Sequence, residues 1–290
     1  MGSLSDCRGD HDERACADRG SRDWQVEDRS GLGPFVTREV YRLADGTRRE
    51  WSSRRHRKCH ESLRSGSLWW QPRTIGWWIA LLFAIGSFLF AIGVVPAYAS
   101  AAGGPADAMT FFAGSIFFTS AGYLQFLQAI NAPTDASGAA HRRRRWIAWQ
   151  PGRIDWWACG VQSIGTLFFN LSTFAATRSA LDAAQAHRLI WGPDMLGSIA
   201  FMIASSLAWF EVCHRWWAVL RHSLSWWIVA MNLGGSIAFL ISAFAAYIDP
   251  ETGELANIPV ANLGTFVGAV GFFVGALLLV PEMRADAASS

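Results

Sequence analysis

The residues of this chain whose types could do chemistry are few, and most stand inside apolar sequence. Gln162, Asn170, Asn232 and Asn262 are carboxamides, and Glu211, His214 and His222 are ionisable. A carboxamide offers both donors and acceptors without charge. A path lined by such groups, with no acid among them, suits a neutral solute better than ion-coupled transport. Glu211, His214 and His222 would support general acid–base chemistry only if they converged on one pocket. Glu211 and Arg215 are instead four apart, the spacing of a structural pair on one helix face. Cys7, His11, Cys16 and Cys59-His60 are metal-ligand types, but their spacing fits no common zinc pattern. The apolar runs otherwise hold scattered Ser and Thr, with no nucleophile–base set. We therefore expect no enzyme, no metal and no cofactor.

The elements that carry these groups are six long apolar runs, at 74–98, 108–130, 155–176, 194–213, 225–247 and 258–281. A bilayer core of about 30 Å takes about 20 apolar residues per helix, and backbone crossing it must satisfy its own hydrogen bonds. The expected fold class is all-α integral membrane, with six transmembrane helices behind a mostly disordered polar tail.

A pattern repeats three times. Trp77-Trp78, Gly86-Ser87 and Phe90 have the same spacing as Trp156-Trp157, Gly165-Thr166 and Phe169, and as Trp226-Trp227, Gly235-Ser236 and Phe239. Each copy precedes a second apolar helix with a weaker echo: Gly114-Ser115 with Phe118, Gly197-Ser198 with Phe201, and Gly264-Thr265 with Gly268. Repeats of this kind predict three parallel helical hairpins, over 74–131, 155–213 and 225–283. On a helix, Gly86, Gly165 and Gly235 share a face with their Phe, and Gln162 and Asn232 join that stripe. Small residues let helices approach closely, so the stripe reads as a packing face with the amides as interhelical glue. Its alternative reading is a pore lining of Gln162, Asn170, Asn232 and Asn262. Gln125, Gln128 and Asn131 are expected to bond between helices, and Asp155 to cap its helix as Ser225 does. Gly264, Gly268, Gly271 and Gly275 are read as a tight packing face or the seam of a homo-oligomer.

Trp226, Asn232, Gly235-Ser236, Phe239 and Gly264-Thr265 together resemble the YrhK-like family of small bacterial membrane domains, most clearly over 224–283. The resemblance implies a two-helix membrane domain without an assigned activity.

The net charge is only +2, but its placement is uneven. Arginines precede the first run, and others stand between the second and third and between the fourth and fifth. The 99–105 loop has none, and the 248–257 loop carries Asp249, Glu251 and Glu254. The positive-inside rule then places both termini in the cytoplasm of a bacterial-type inner membrane. The Trp pairs sit at the predicted cytoplasmic ends, as interfacial anchors. Arg142, Arg143, Arg144 and Arg145 read as a topogenic signal that also meets anionic lipid headgroups, and the basic run Ser53–Lys58 is read the same way. The expected partners are the bilayer and those headgroups, not nucleic acid. The tail, 1–73, is polar; residues 1–33 are too poor in apolar surface to fold alone. A small β-hairpin is expected at 36–53, turning at Asp45-Gly46. The function expected from these readings is that of a non-enzymatic structural or regulatory multi-pass membrane protein. Its alternative is a small neutral-solute transporter or channel.

Overall fold

The computed structural model describes residues 25–43, 45–58, 69–133, 145–178, 180–215 and 217–288. Strands β1 (Gln25–Leu32), β2 (Phe35–Arg42) and β3 (Arg48–Ser52) form an antiparallel sheet in the order β1-β2-β3. Short turns set it: Gly33 at φ 55° opens the first, and Gly46 at φ 84° the second, where the Asp45 carboxylate accepts the Thr47 N–H at 2.9 Å. The expected hairpin at 36–53 thus coincides with β2 and β3. The third strand, β1, lies in sequence that was expected to stay unfolded. It is polar, and its register is held by facing charges rather than burial: Glu27 meets Arg42 and Arg48, and Arg29 meets Glu39.

The chain passes directly from β3 into the short helix α1 (Ser53–Lys58) and then into the bundle. Its helices are α2 (Ile75–Gly93), α3 (Pro96–Ala102), α4 (Gly104–Asn131), α5 (Ile154–Ala176), α6 (Ala183–Ala186), α7 (Gly192–Cys213), α8 (Leu224–Ala245) and α9 (Ile258–Ala288). A π-helical turn, His187–Trp191, joins α6 to α7. The long helices close a ring in the order α2, α4, α5, α7, α8, α9 and back to α2.

Four helical stretches are long and apolar enough to cross a membrane: Ile75–Gly93, Ala183–Cys213, Leu224–Ala245 and Ile258–Ala285. This corrects the expectation of six on that measure. Polar side chains lower the hydropathy of α4 and α5, and the structure shows where those groups go. Asn170 donates to Thr119 Oγ1 at 2.8 Å, Ser115 and Thr173 hydroxyls meet at 2.8 Å, and Ser163 donates to the Gly122 carbonyl at 3.0 Å. All lie in the α4–α5 contact. The outward faces of the same helices carry Ile116, Ile164, Leu167 and Leu171, all exposed.

Close approach inside each helix pair depends on glycine. A Cβ on Gly86 would stand 2.9 Å from the Gly114 carbonyl oxygen and 2.8 Å from the Phe118 ring. On Gly165 it would stand 2.8 Å from Phe201, and on Gly235 it would stand 2.9 Å from the Gly268 carbonyl oxygen. The partner of Gly235 is therefore Gly268, with Phe272 four residues on. The pairing of Gly264-Thr265 with that stripe was one turn out of register, because Gly264 and Gly268 are themselves four apart and look alike in sequence. Gly264, Gly268, Gly271 and Gly275 all face α8 of the same chain. The glycine-rich face of α9 is thereby covered from within.

Candidate functional site

Six phenylalanines meet in the ring: Phe90, Phe169 and Phe239 from the first helix of each pair, and Phe118, Phe201 and Phe272 from the second. The first three lie 6.0–6.3 Å apart between centroids, and Phe118 lies 6.1 and 6.0 Å from Phe201 and Phe272. The pair Phe169–Phe201 closes to 5.1 Å, and most contacts are edge to face. All six side chains are buried. Together they make an apolar plug inside the ring.

A chamber of about 60 Å³ lies between this plug and the sheet. Its wall includes Gln125, Gln128, Gln162 and Asn232, with Ile79, Phe83 and Ile228 as apolar surface and Arg54, Arg57 and Glu211 at the sheet end. The structure brings Gln162 and Asn232, read first as interhelical glue, to one chamber wall, with Gln125 and Gln128 beside them. Asn170 is not in the chamber but in the α4–α5 contact. Asn262 is exposed on the outer face of α9. Asn131 instead ties its own helix end to the next loop, donating to the Leu127 and Arg145 carbonyls and accepting the Arg145 N–H at 2.7 Å.

The chamber's mouth is an ion cluster that α1 completes. Arg57 sits 3.4 Å from Asp155 and 3.4 Å from Glu211, with the three side chains at 4%, 0% and 2% exposure. Ser53 donates to Glu211 at 2.7 Å, and Arg54 pairs with Glu282 at 3.0 Å. Ser225 also donates to Glu282, and Arg153 pairs with Asp155 at 2.5 Å. Burial alone would lower the Arg57 pKa. The Glu211 and Asp155 carboxylates outweigh it and hold the guanidinium charged, above its ordinary value. Counted from the close-approach glycines Gly114, Gly197 and Gly268, the fourteenth residue is Gln128, Glu211 and Glu282. The same position of each pair is thus once an amide in the chamber wall and twice an acid that holds α1.

Several expectations change here. Arg54 and Arg57 point into the protein rather than to lipid headgroups, because buried carboxylates wait for them. Glu211 is held by α1, not by Arg215. Asp155 lies inside the first turn of α5, and the N-cap position belongs to Arg153, which takes the place of the Thr74 and Ser223 caps of α2 and α8. Glu211 and His214 share the wall of one pocket beside α1, but His222 is not part of it, and His214 turns to the sheet, its Nδ1 3.1 Å from Thr37 Oγ1. Arg142, Arg143 and Arg144, and also Cys7, His11, Cys16, Cys59 and His60, lie outside the described residues. Sequence reasoning missed the role of α1. Its signal was a run of arginines before the first apolar helix together with acids at matched helix ends.

The Trp pairs fix the entry to each first helix. Trp77, Trp156 and Trp226 each donate Nε1–H to the carbonyl eight residues earlier, at 2.8, 2.7 and 2.8 Å. Trp78, Trp157 and Trp227 each donate to the carbonyl six residues earlier, at 2.9, 3.0 and 3.0 Å. Trp51 anchors the sheet, donating to the Pro133 carbonyl at 3.3 Å.

No family model, no curated protein and no solved structure matches this chain.

Proposed function

We propose that this chain is a non-enzymatic, regulatory multi-pass membrane protein, in which the N-terminal sheet and α1 sit as a lock on a chamber that opens toward the tail side. The observation that carries this reading is the Arg57–Asp155–Glu211 and Arg54–Glu282 cluster. It joins a soluble-type sheet to helices α5, α7 and α9 through charges that have no other reason to be buried. Movement of α1 would expose three carboxylates, so the position of the sheet and the state of the bundle are linked.

In the same reading all six long helices cross the bilayer, as three repeated hairpins of YrhK-like type. Support comes from the matched glycines, phenylalanines and Trp hydrogen bonds, and from the apolar outer faces of α4 and α5, whose polar groups are used against each other. The arginine-poor 99–105 and 248–257 loops lie at the end away from the sheet, so both termini are assigned to the cytoplasm of a bacterial-type inner membrane. Arg145 and its neighbours are assigned to anionic headgroups.

The transporter alternative shares the chamber but needs an open axis, and the six-phenylalanine plug favours the lock. Single cysteines at positions 162, 170 and 232, in a Cys-free background, test the two. Labelling by a membrane-impermeant thiol reagent at 162 and 232 from the tail side only, with 170 protected, is the expected result. Labelling of 162 from both sides would replace the regulatory reading with transport.

A further inference from the structure

We infer that the chamber takes a small uncharged molecule that presents at least one strong acceptor and one donor, of the amide, urea or short-polyol class. The inference rests on the reading of the chamber as open toward the tail side.

Three observations lead to it. First, Arg57 lines the chamber, and its Nη1 is buried with no hydrogen-bond partner among the described residues. Its ion pair with Asp155, at 3.4 Å, leaves the N–H without a close acceptor. A donor of this kind calls for a carbonyl or hydroxyl oxygen. Second, the amides of Gln125, Gln128, Gln162 and Asn232 reach the chamber wall, and no hydrogen bond from these side chains to a described residue accompanies them. Amides withdrawn from bulk water normally find partners, so these four half-buried ones, from the three helices α4, α5 and α8, are a set of donors and acceptors awaiting one occupant. Room for Asn232 is made by Gly275, where a Cβ would stand 2.4 Å from Asn232 Oδ1.

Third, the charges at the mouth are already matched. Arg54, Arg57 and Arg153 face Glu282, Glu211 and Asp155. An ion entering would add an unbalanced charge to a site with little solvent, whereas a neutral molecule would not. The apolar surface of Ile79, Phe83 and Ile228 fits a short carbon stem. The volume of about 60 Å³ holds a molecule of a few heavy atoms, or a few waters.

The test uses 2-fluoroacetamide as probe, with fluoroacetate and 2-fluoroethylammonium as charged molecules of similar size, and the full chain in detergent micelles. Fluorine NMR line broadening reports binding. The expected result is broadening of fluoroacetamide that falls at least about fivefold in the chamber-filling variant Q162L/N232L, the loss of two hydrogen-bonding groups. Ser120→Ala, on the outer face of α4, should leave it unchanged. Near-UV circular dichroism of the tryptophans checks folding, and Gln125→Leu replaces the double variant if that one does not fold. Absence of variant-dependent broadening would overturn the inference in favour of water alone. Variant-dependent broadening of a charged probe equal to or above that of fluoroacetamide would overturn the neutral class. Either result with tail-side labelling at 162 intact leaves the lock reading standing; loss of that labelling removes both.

Discussion

At the scale of the residue, two kinds of side chain decide this structure: those too small to replace and those too charged to leave alone. Gly235 lets α8 and α9 touch. Gly235→Ala drives a Cβ to 2.9 Å from a main-chain oxygen that cannot move aside, and to 3.0 Å from the Phe272 ring. We expect it to cost about 1–3 kcal/mol, as other forced overpacking does. Gly234→Ala is the control, since its Cβ would meet nothing within 4 Å. Reversible unfolding in mixed micelles reads both, and an equal loss in the two variants would refute the packing argument. Arg57 is the charged case. Arg57→Ala leaves Asp155 and Glu211 with less compensation in a buried site, which we expect to cost about 3–5 kcal/mol. Adding Glu211→Gln should restore part of that loss. Full additivity of the two substitutions would mean the charges do not interact.

At the scale of the element, the sheet meets the bundle through Trp51, α1 and the Thr37–His214 pair, with β2 also touching α5 and β1 touching α7. His214 ends α7 in the left-handed region, at φ 54°, which aims its ring at β2. Burial pushes the His214 imidazole below its ordinary 6.5; Glu211 pulls it up and Arg38 presses it down. The folded protein therefore favours the neutral ring. A depressed pKa contributes stability that is fully present above 6.5 and is lost as pH falls through the lower folded value. Sheet docking should weaken in mild acid, seen as lower protection of the β2 amides against hydrogen exchange, relative to their intrinsic rates, as pH drops from about 7 to about 5, across the range where histidine titrates. The drop should vanish in His214→Asn. A profile unchanged by that substitution would assign the effect elsewhere.

At the scale of the whole molecule, the ring is closed by phenylalanine and holds a polar-walled chamber on its sheet side. A single Phe201→Ala, at 1% exposure, should cost about 3–5 kcal/mol without opening a path, since five rings remain. Removing Phe118, Phe201 and Phe272 together should make a cysteine at 162 reachable from the far end as well as the tail side. Continued one-sided labelling would locate the barrier elsewhere. The ring also leaves one hydroxyl without its counterpart. Ser236 bonds Ser205 at 2.7 Å across α7–α8, whereas Ser87, at the matched position facing α9, has no partner among the described residues. At the position that matches Ser205, eight residues after the close-approach glycine, α9 carries Ala276 rather than serine.

The apolar runs, the Trp pairs, the Gly–Phe spacing and the turn at Asp45-Gly46 were legible from sequence, because each is a local signal: hydropathy, helical period or turn chemistry. Gln162 and Asn232 were legible as matched positions on the stripes of two helices for the same reason. The register of Gly268, the inward turn of Arg54 and Arg57, and the separation of Asn170 from the chamber were not. Each depends on which face of one helix meets which face of another, and identical four-residue steps along α9 make two registers look alike until they are packed. Chain order placed Arg57 next to a membrane run and far from Asp155 and Glu211. Only closure of the ring set those carboxylates around it, where burial makes the pairing obligatory.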